Sequence, residues 1–179
     1  VSGDFRWQST SPDHTFAFGR VLGRHLCGGD ALALLGELGS GKTQLVKGLA
    51  AGLGVAADEP VVSPTFVLVR EYIGRLRLYH LDAYRLGGAD DLLSLGIDEM
   101  LADSAGVVAV EWADRVPGVL PPTAWTVELN HAGEQRRELT VSVPDSQRRA
   151  AVQRDLEALR GSGGPNGVSS ATDSQGDRS

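Results

Sequence analysis

Eight consecutive residues, Gly36–Glu37–Leu38–Gly39–Ser40–Gly41–Lys42–Thr43, carry the types and spacing that grip the phosphates of a nucleotide. They satisfy G-x-x-x-x-G-K-[ST] without a gap. Gly36, Gly39 and Gly41 permit backbone angles closed to other residues, so main-chain N–H groups can approach phosphate oxygens. A helix beginning after the loop adds unsatisfied donors and a partial positive charge. In such a loop Lys42 reaches the β- and γ-phosphates, and the Thr43 hydroxyl ligates Mg²⁺. The expected cofactor-binding set is Glu37, Leu38, Gly39, Ser40, Gly41, Lys42, Thr43 and Gln44, with a nucleoside triphosphate and Mg²⁺ as the cofactors.

A phosphate loop also needs a carboxylate at the end of a neighbouring strand. Glu111 directly follows the apolar run Val107–Val108–Ala109–Val110, at the carboxyl edge of a strand buried on both faces. Ligands of open α/β sheets bind outside that edge. Asp82 ends a second strand whose pattern alternates. Glu111 is the better Mg²⁺ carboxylate by pattern, and Asp82 would share the metal or orient the attacking water. Ser63–Pro64–Thr65–Phe66 lies between the loop and Asp82. A threonine there can sense the γ-phosphate, although a proline-containing turn before a strand would look the same. Trp112 could stack on a base or pack. Arg85 and Arg115 could meet phosphates or form surface pairs.

The elements that must position these residues are legible in outline. Ala31–Leu35 reads as a buried strand leading into the loop, and Gln44–Leu53 as the helix leading out. Ser11–Pro12–Asp13 marks a helix start, with Phe16, Val21, Leu22 and Leu26 on its apolar face. Residues 66–72 and 76–81 predict a hairpin about Ile73–Gly74–Arg75. Short helices are expected over 89–95 and 97–102, strands over 125–129 and 137–143, and a helix over 147–160. The expected class is α/β, with the phosphate loop between a buried strand and a helix. Residues 1–10 read as an N-terminal extension, 11–160 as the ATPase domain, and the Gly/Ser-rich 161–179 as a disordered tail.

The 179 residues, 41 % hydrophobic, suit one core. No run of about 18 apolar residues spans a membrane, and no secretory leader is evident. Cys27 is the only cysteine, which excludes an internal disulfide and fits a reducing cytosol. A formal charge of −6 argues against nucleic-acid binding through bulk positive charge.

The phosphate loop, then Ser63–Pro64–Thr65–Phe66, His80–Leu81–Asp82–Ala83–Tyr84–Arg85–Leu86, Gly96–Ile97–Asp98–Glu99 and Val110–Glu111–Trp112, resemble in combination the bacterial TsaE (YjeE) family. The resemblance spans residues 11–143. It implies a P-loop NTPase fold with a mixed parallel and antiparallel sheet flanked by helices, and a cytoplasmic ATPase of tRNA threonylcarbamoyladenosine biosynthesis that uses ATP and Mg²⁺, weak alone and significant with its partners TsaB and TsaD. TsaD performs the transfer to adenosine 37 of tRNAs reading ANN codons, so tRNA contact is expected through the complex. By the same resemblance Lys42 and Thr43 hold phosphate and Mg²⁺, and Thr65 is the switch threonine. Asp82 and Glu111 are the catalytic and metal acids, and Trp112 lies beside the nucleotide. Gln44 and Ala83 depart mildly from the family pattern. Two other readings are a small-molecule P-loop kinase and a non-hydrolysing nucleotide-gated binding module. The absence of arginine from Gly87 to Asp103 counts against the lid that a kinase uses.

Overall fold

A computed structural model describes residues 4–161. Its elements run β1 (Phe5–Ser9), α1 (Pro12–His25), β2 (Ala31–Leu35), α2 (Lys42–Gly52), β3 (Val69–Ile73) and β4 (Arg77–Asp82). They continue with α3 (Ala89–Ser94), α4 (Ile97–Ala102), β5 (Gly106–Glu111), β6 (Trp125–His131), β7 (Arg137–Ser142) and α5 (Ser146–Gly161). The strands form one sheet in the order β1-β7-β6-β2-β5-β4-β3. Its centre is parallel, β2 pairing with β5 and β6, and β5 with β4. Antiparallel β3 closes one edge, and the β7–β1 pair closes the other.

Residue patterning explains this layering. Every residue of β5 is buried, as two covered faces require. On one face α1, α2 and α5 press Phe18, Leu22, Leu45, Leu49 and Val152 against Leu32, Leu34 and Val127. On the other, α3 and α4 contribute Leu92 and Ile97 over Leu81, Val108 and Val110. The α1–α2 contact is unusually close because glycines line it. A Cβ on Gly48 would run into the Phe16 carbonyl, and one on Gly19 into the Leu45 carbonyl.

Three expectations need correction. Residues 5–9 are no extension: they form β1 and pair with β7 from Phe5↔Val141 to Ser9↔Arg137. The first hairpin strand begins at Val69 rather than Phe66, because the Val67 and Leu68 amides turn back onto the Pro64 carbonyl at 3.0 and 2.6 Å. Leu68 leaves that turn at φ +66°. On α1, Phe18 takes the core position while Phe16 stays half-buried, since the glycine seam fixes which face meets α2. The expected tail falls on 162–179, outside the described residues, and Gly161 itself closes α5.

Candidate nucleotide-phosphate site

The phosphate loop joins the carboxyl end of β2 to the first turn of α2, the place the sequence assigns it. Gly36 sits at φ +135°, where a Cβ would run into the Leu129 carbonyl of neighbouring β6. Gly41 caps α2 in the left-handed region at φ +105°. Only glycine serves both positions at no steric cost. Ser40 is fully buried, and its Oγ has no hydrogen-bond partner among the described residues. Glu37, Leu38 and Gly39 form the exposed crest of the loop.

Lys42 is buried at the start of α2, and its Nζ folds back into the loop. It donates to the carbonyls of Gly36 at 2.7 Å and Glu37 at 2.9 Å. The same ammonium lies 3.7 Å from the centroid of the Trp112 ring. Burial pushes the Lys42 pKa down, against the opposing pull of Glu111, Asp82 and Asp114. Trp112 reaches this position through a left-handed backbone, φ +59°, an outlier for a large side chain. Tyr84 packs on its ring at 4.9 Å. Arg115 lies over Tyr84, and Arg85 over Phe66, and neither arginine forms a salt bridge among the described residues.

Strand register brings the two acids together. Asp82 and Glu111 are directly paired residues of β4 and β5, and Glu111 also pairs with Leu34 of β2. The Thr43 hydroxyl donates to Glu111 Oε1 at 3.0 Å and Oε2 at 3.2 Å. Asp82 turns the other way along the edge. Its Oδ2 accepts from Ser63 Oγ at 2.8 Å and Thr65 Oγ1 at 3.0 Å, while Oδ1 accepts from the Tyr84 amide at 2.9 Å. Ser63 and Thr65 are themselves 2.7 Å apart through their hydroxyls. Gln44 points elsewhere, its side-chain amide donating to the Pro12 carbonyl at 3.3 Å. Pro12, Thr15, Gln44, Gln135 and Arg137 line a cavity of about 140 Å³ that opens beside the loop.

Two further residues belong to this constellation and were not singled out by spacing. His80, fully buried on β4, places Nε2 2.8 Å from Glu111 Oε1, and its Nδ1 has no partner among the described residues. Arg137 on β7 clamps the loop from behind. Its Nε donates to the Ser40 carbonyl at 2.9 Å and a terminal nitrogen to the Gly39 carbonyl at 3.1 Å. The other nitrogen holds the β6–β7 turn through the carbonyls of Gly133, Glu134 and Arg136.

The residues suit a phosphate group and a hard divalent cation. A buried Ser40 hydroxyl with no partner among the described residues lies beside Gly36, and an ammonium rests on two loop carbonyls. Thr43 and Glu111 offer only oxygen donors, as Mg²⁺ prefers. No cluster of three or more His, Cys, Asp or Glu exists among the described residues. That accords with a cation held by one or two protein oxygens plus phosphate.

A mixed sheet with this loop after its central strand, and two acids on the strands beside it, defines a P-loop NTPase-type protein. Its fold is shared with the crystal structure of Bacillus subtilis YdiB, at TM-score 0.71 and 31 % identity over 89 % of this chain and 98 % of that one. Residues 9–139 match the family described as threonylcarbamoyl adenosine biosynthesis protein TsaE, and the chain belongs to that family. It is 42 % identical over 137 residues to the tRNA threonylcarbamoyladenosine biosynthesis protein TsaE of Treponema pallidum, covering 76 % of this chain and 99 % of the relative. The Bacillus subtilis protein of the same description is 39 % identical over 136 residues, covering 75 % and 83 %.

Proposed function

We propose that the chain is a Mg²⁺-dependent ATPase that supports turnover of a TsaB–TsaD assembly forming threonylcarbamoyladenosine at position 37 of tRNAs reading ANN codons. The observation that carries this reading is the shared edge of β2, β4 and β5. There Lys42, the Thr43–Glu111 pair and the Asp82–Thr65–Ser63 cluster meet at the mouth of the phosphate loop. Mg²⁺, when bound, would supply positive charge against the phosphates. Thr43 and Glu111 would hold that cation. Lys42 moves from the Gly36 and Glu37 carbonyls onto phosphate oxygens, and the backbone amides of residues 37–44 complete the cradle. Asp82 orients the attacking water, and Thr65 registers the presence of the γ-phosphate. The cavity beside Pro12 and Gln135 receives the nucleoside, and the Trp112 ring flanks the phosphates.

No helix of the described residues is long and apolar enough to cross a membrane, and the chain is assigned to the cytoplasm with its partners. The segment between Gly87 and Asp103 folds as α3 and α4 anchored by Leu92 and Ile97, which counts against the mobile lid of a kinase. The test is twofold. Lys42→Ala and Asp82→Ala abolish partner-stimulated ATP turnover in the assembled complex. Mass spectrometry of tRNA nucleosides from depleted cells shows loss of the modification, restored by wild type and not by Lys42→Ala. Full turnover by either variant, or unchanged modification after verified depletion, overturns the reading.

A further inference from the structure

The outer side of α1 and α2 carries a groove of about 670 Å³ that the phosphate site does not use, closed on its far side by residues 55–62. Phe16, Val61 and Val62 give it apolar walls, and the exposed side chains of Arg20, Arg24 and Lys47 line it as well. None of these three cations forms a salt bridge or side-chain hydrogen bond among the described residues. Glu59 is the single acid in the lining, so the groove is net positive on a chain whose formal charge is −6.

Its geometry selects the occupant. Arg20 and Arg24 stand four residues apart on α1, side by side along the helix surface. Acids one turn apart on a second helix would face them, while that helix lays its apolar side on Phe16 and the valines. RNA fits less well: Phe16 is the only aromatic in the lining, too little for base stacking, and the molecule is acidic overall. A second copy of this chain offers Asp90, Asp91, Asp98 and Glu99, but on helices of six residues each. Such a head-to-tail contact also has to close into a ring or run on as a filament.

The groove wall is physically joined to the phosphate site. The Tyr72 hydroxyl ties down both the amide and the carbonyl of Val62, at 3.2 and 3.3 Å. The next residue, Ser63, hangs with Thr65 on Asp82. A movement of that pair is transmitted through one peptide to the wall. We propose that this groove docks an acidic amphipathic helix of a protein partner, with an affinity that follows the nucleotide at the phosphate loop. The inference rests on the reading of Ser63–Phe66 as the nucleotide-sensing segment.

The test uses the full chain and a fluorescein-labelled synthetic helix of about four turns, with a leucine stripe flanked by glutamates at i,i+4. Fluorescence anisotropy is read with ADP, with a non-hydrolysable ATP analogue and without nucleotide. The triple variant Arg20→Glu, Arg24→Glu, Lys47→Glu should bind the peptide at least about tenfold more weakly, and the wild-type affinity should fall with added salt. A lysine-flanked peptide should recover binding to the variant. Labelled ADP bound equally by both proteins shows that the variant is folded. Equal peptide affinity for wild type and variant overturns the proposal, as does an affinity indifferent to nucleotide. If the triple change instead abolishes tRNA binding in a mobility shift, or self-association in sedimentation, the occupant is RNA or a second copy and the proposal falls. Purified TsaB–TsaD is the separate arm: no binding to wild type sinks the assignment of those partners, while the peptide still decides the groove. Binding of that pair undiminished by the triple change overturns docking through the groove and leaves the partners in place.

Discussion

Lys42 is held by two loop carbonyls and an aromatic face, a stand-in environment for phosphate oxygens. Burial lowers its pKa from the ordinary 10.5 more than the nearby acids raise it. The sign of the linkage follows. At pH well below the lowered folded pKa the group is charged in both states, and folding bears the desolvation cost. As pH rises through the lowered folded pKa, the native state sheds the proton first, the unfolded state binds more protons, and stability rises. The nucleotide-free wild type should therefore gain stability relative to Lys42→Met as pH climbs toward 10.5, measured by urea denaturation across that range. A constant difference would refute it. His80 supports a second prediction. Its donation to Glu111 inside the core fixes the carboxylate that Thr43 also holds. His80→Ala should cost about 2 kcal/mol or more of stability, the usual loss when a buried partner of a charged group is removed. It should also weaken Mg²⁺-dependent ADP binding more than Mg²⁺-free binding, and His80→Gln should recover part of that difference. Titrating labelled ADP with and without Mg²⁺ decides it. Lys42, Thr43 and Glu111 were readable because each is fixed by its neighbours in the chain. His80 was visible only as part of a motif, because its partnership with Glu111 depends on the register of two strands.

The elements divide the same way. The strand–loop–helix unit of β2 and α2 announces itself in contiguous sequence, and so does β5, a run of apolar residues ending in an acid. What stayed hidden are the joins. Gly19 and Gly23 meet Gly48 and Gly52, close to backbone-on-backbone, a seam no periodicity reveals because it is made of missing side chains. Gly48→Ala should cost about 3 kcal/mol or more, since the added methyl meets main chain rather than a movable side chain. Gly118, at φ +78° with open space around its Cα, should lose only about 1 kcal/mol on the same change. Comparable losses in thermal denaturation would refute the seam argument. Arg137 is the other hidden join, 97 residues from the Ser40 carbonyl it grips. Carbonyl partners carry no side-chain signature, so nothing in the sequence marks this arginine as a clamp. Arg137→Ala should release the crest of the phosphate loop and weaken ADP binding about tenfold, equivalent to ~1.4 kcal/mol. Arg137→Lys should not restore it, because one ammonium cannot span two loop carbonyls and the turn together. Equilibrium ADP binding by the two variants checks both statements.

Over the whole molecule, the nucleotide edge depends on a strand that the sequence set aside. β1 is five residues long, and its alternation is too brief to stand out from an unstructured lead-in. Its partner β7 lies at the opposite end of the chain, so nothing local marks the pairing. Yet β1 fastens three parts of the protein. Trp7, 2 % exposed, packs against Phe18 of α1 at 5.7 Å and lies beneath Arg160 of α5 at 4.3 Å. The buried Ser9 and Thr15 hydroxyls meet at 2.7 Å where the chain turns into α1. Ser9 also stands directly opposite Arg137, the residue that clamps the phosphate loop. Removing the strand would strip the paired edge from β7 and leave an open row of hydrogen-bonding groups. An extension could be deleted freely, whereas β1 cannot. Deletion through Ser9 should lower the denaturation midpoint sharply and promote aggregation. Trp7→Ala, which keeps the strand, should cost about 3–5 kcal/mol. Because the links from β1 to the loop, through β7 with Arg137 and through the Ser9–Thr15 pair, do not pass through Trp7, Trp7→Ala should lose far more stability than ADP affinity when binding is measured well below its melting temperature. Unchanged stability in both proteins would return residues 1–10 to the status of an appendage. Lost ADP binding in a folded Trp7→Ala protein would instead mean that the strand supports the loop more directly than through Arg137.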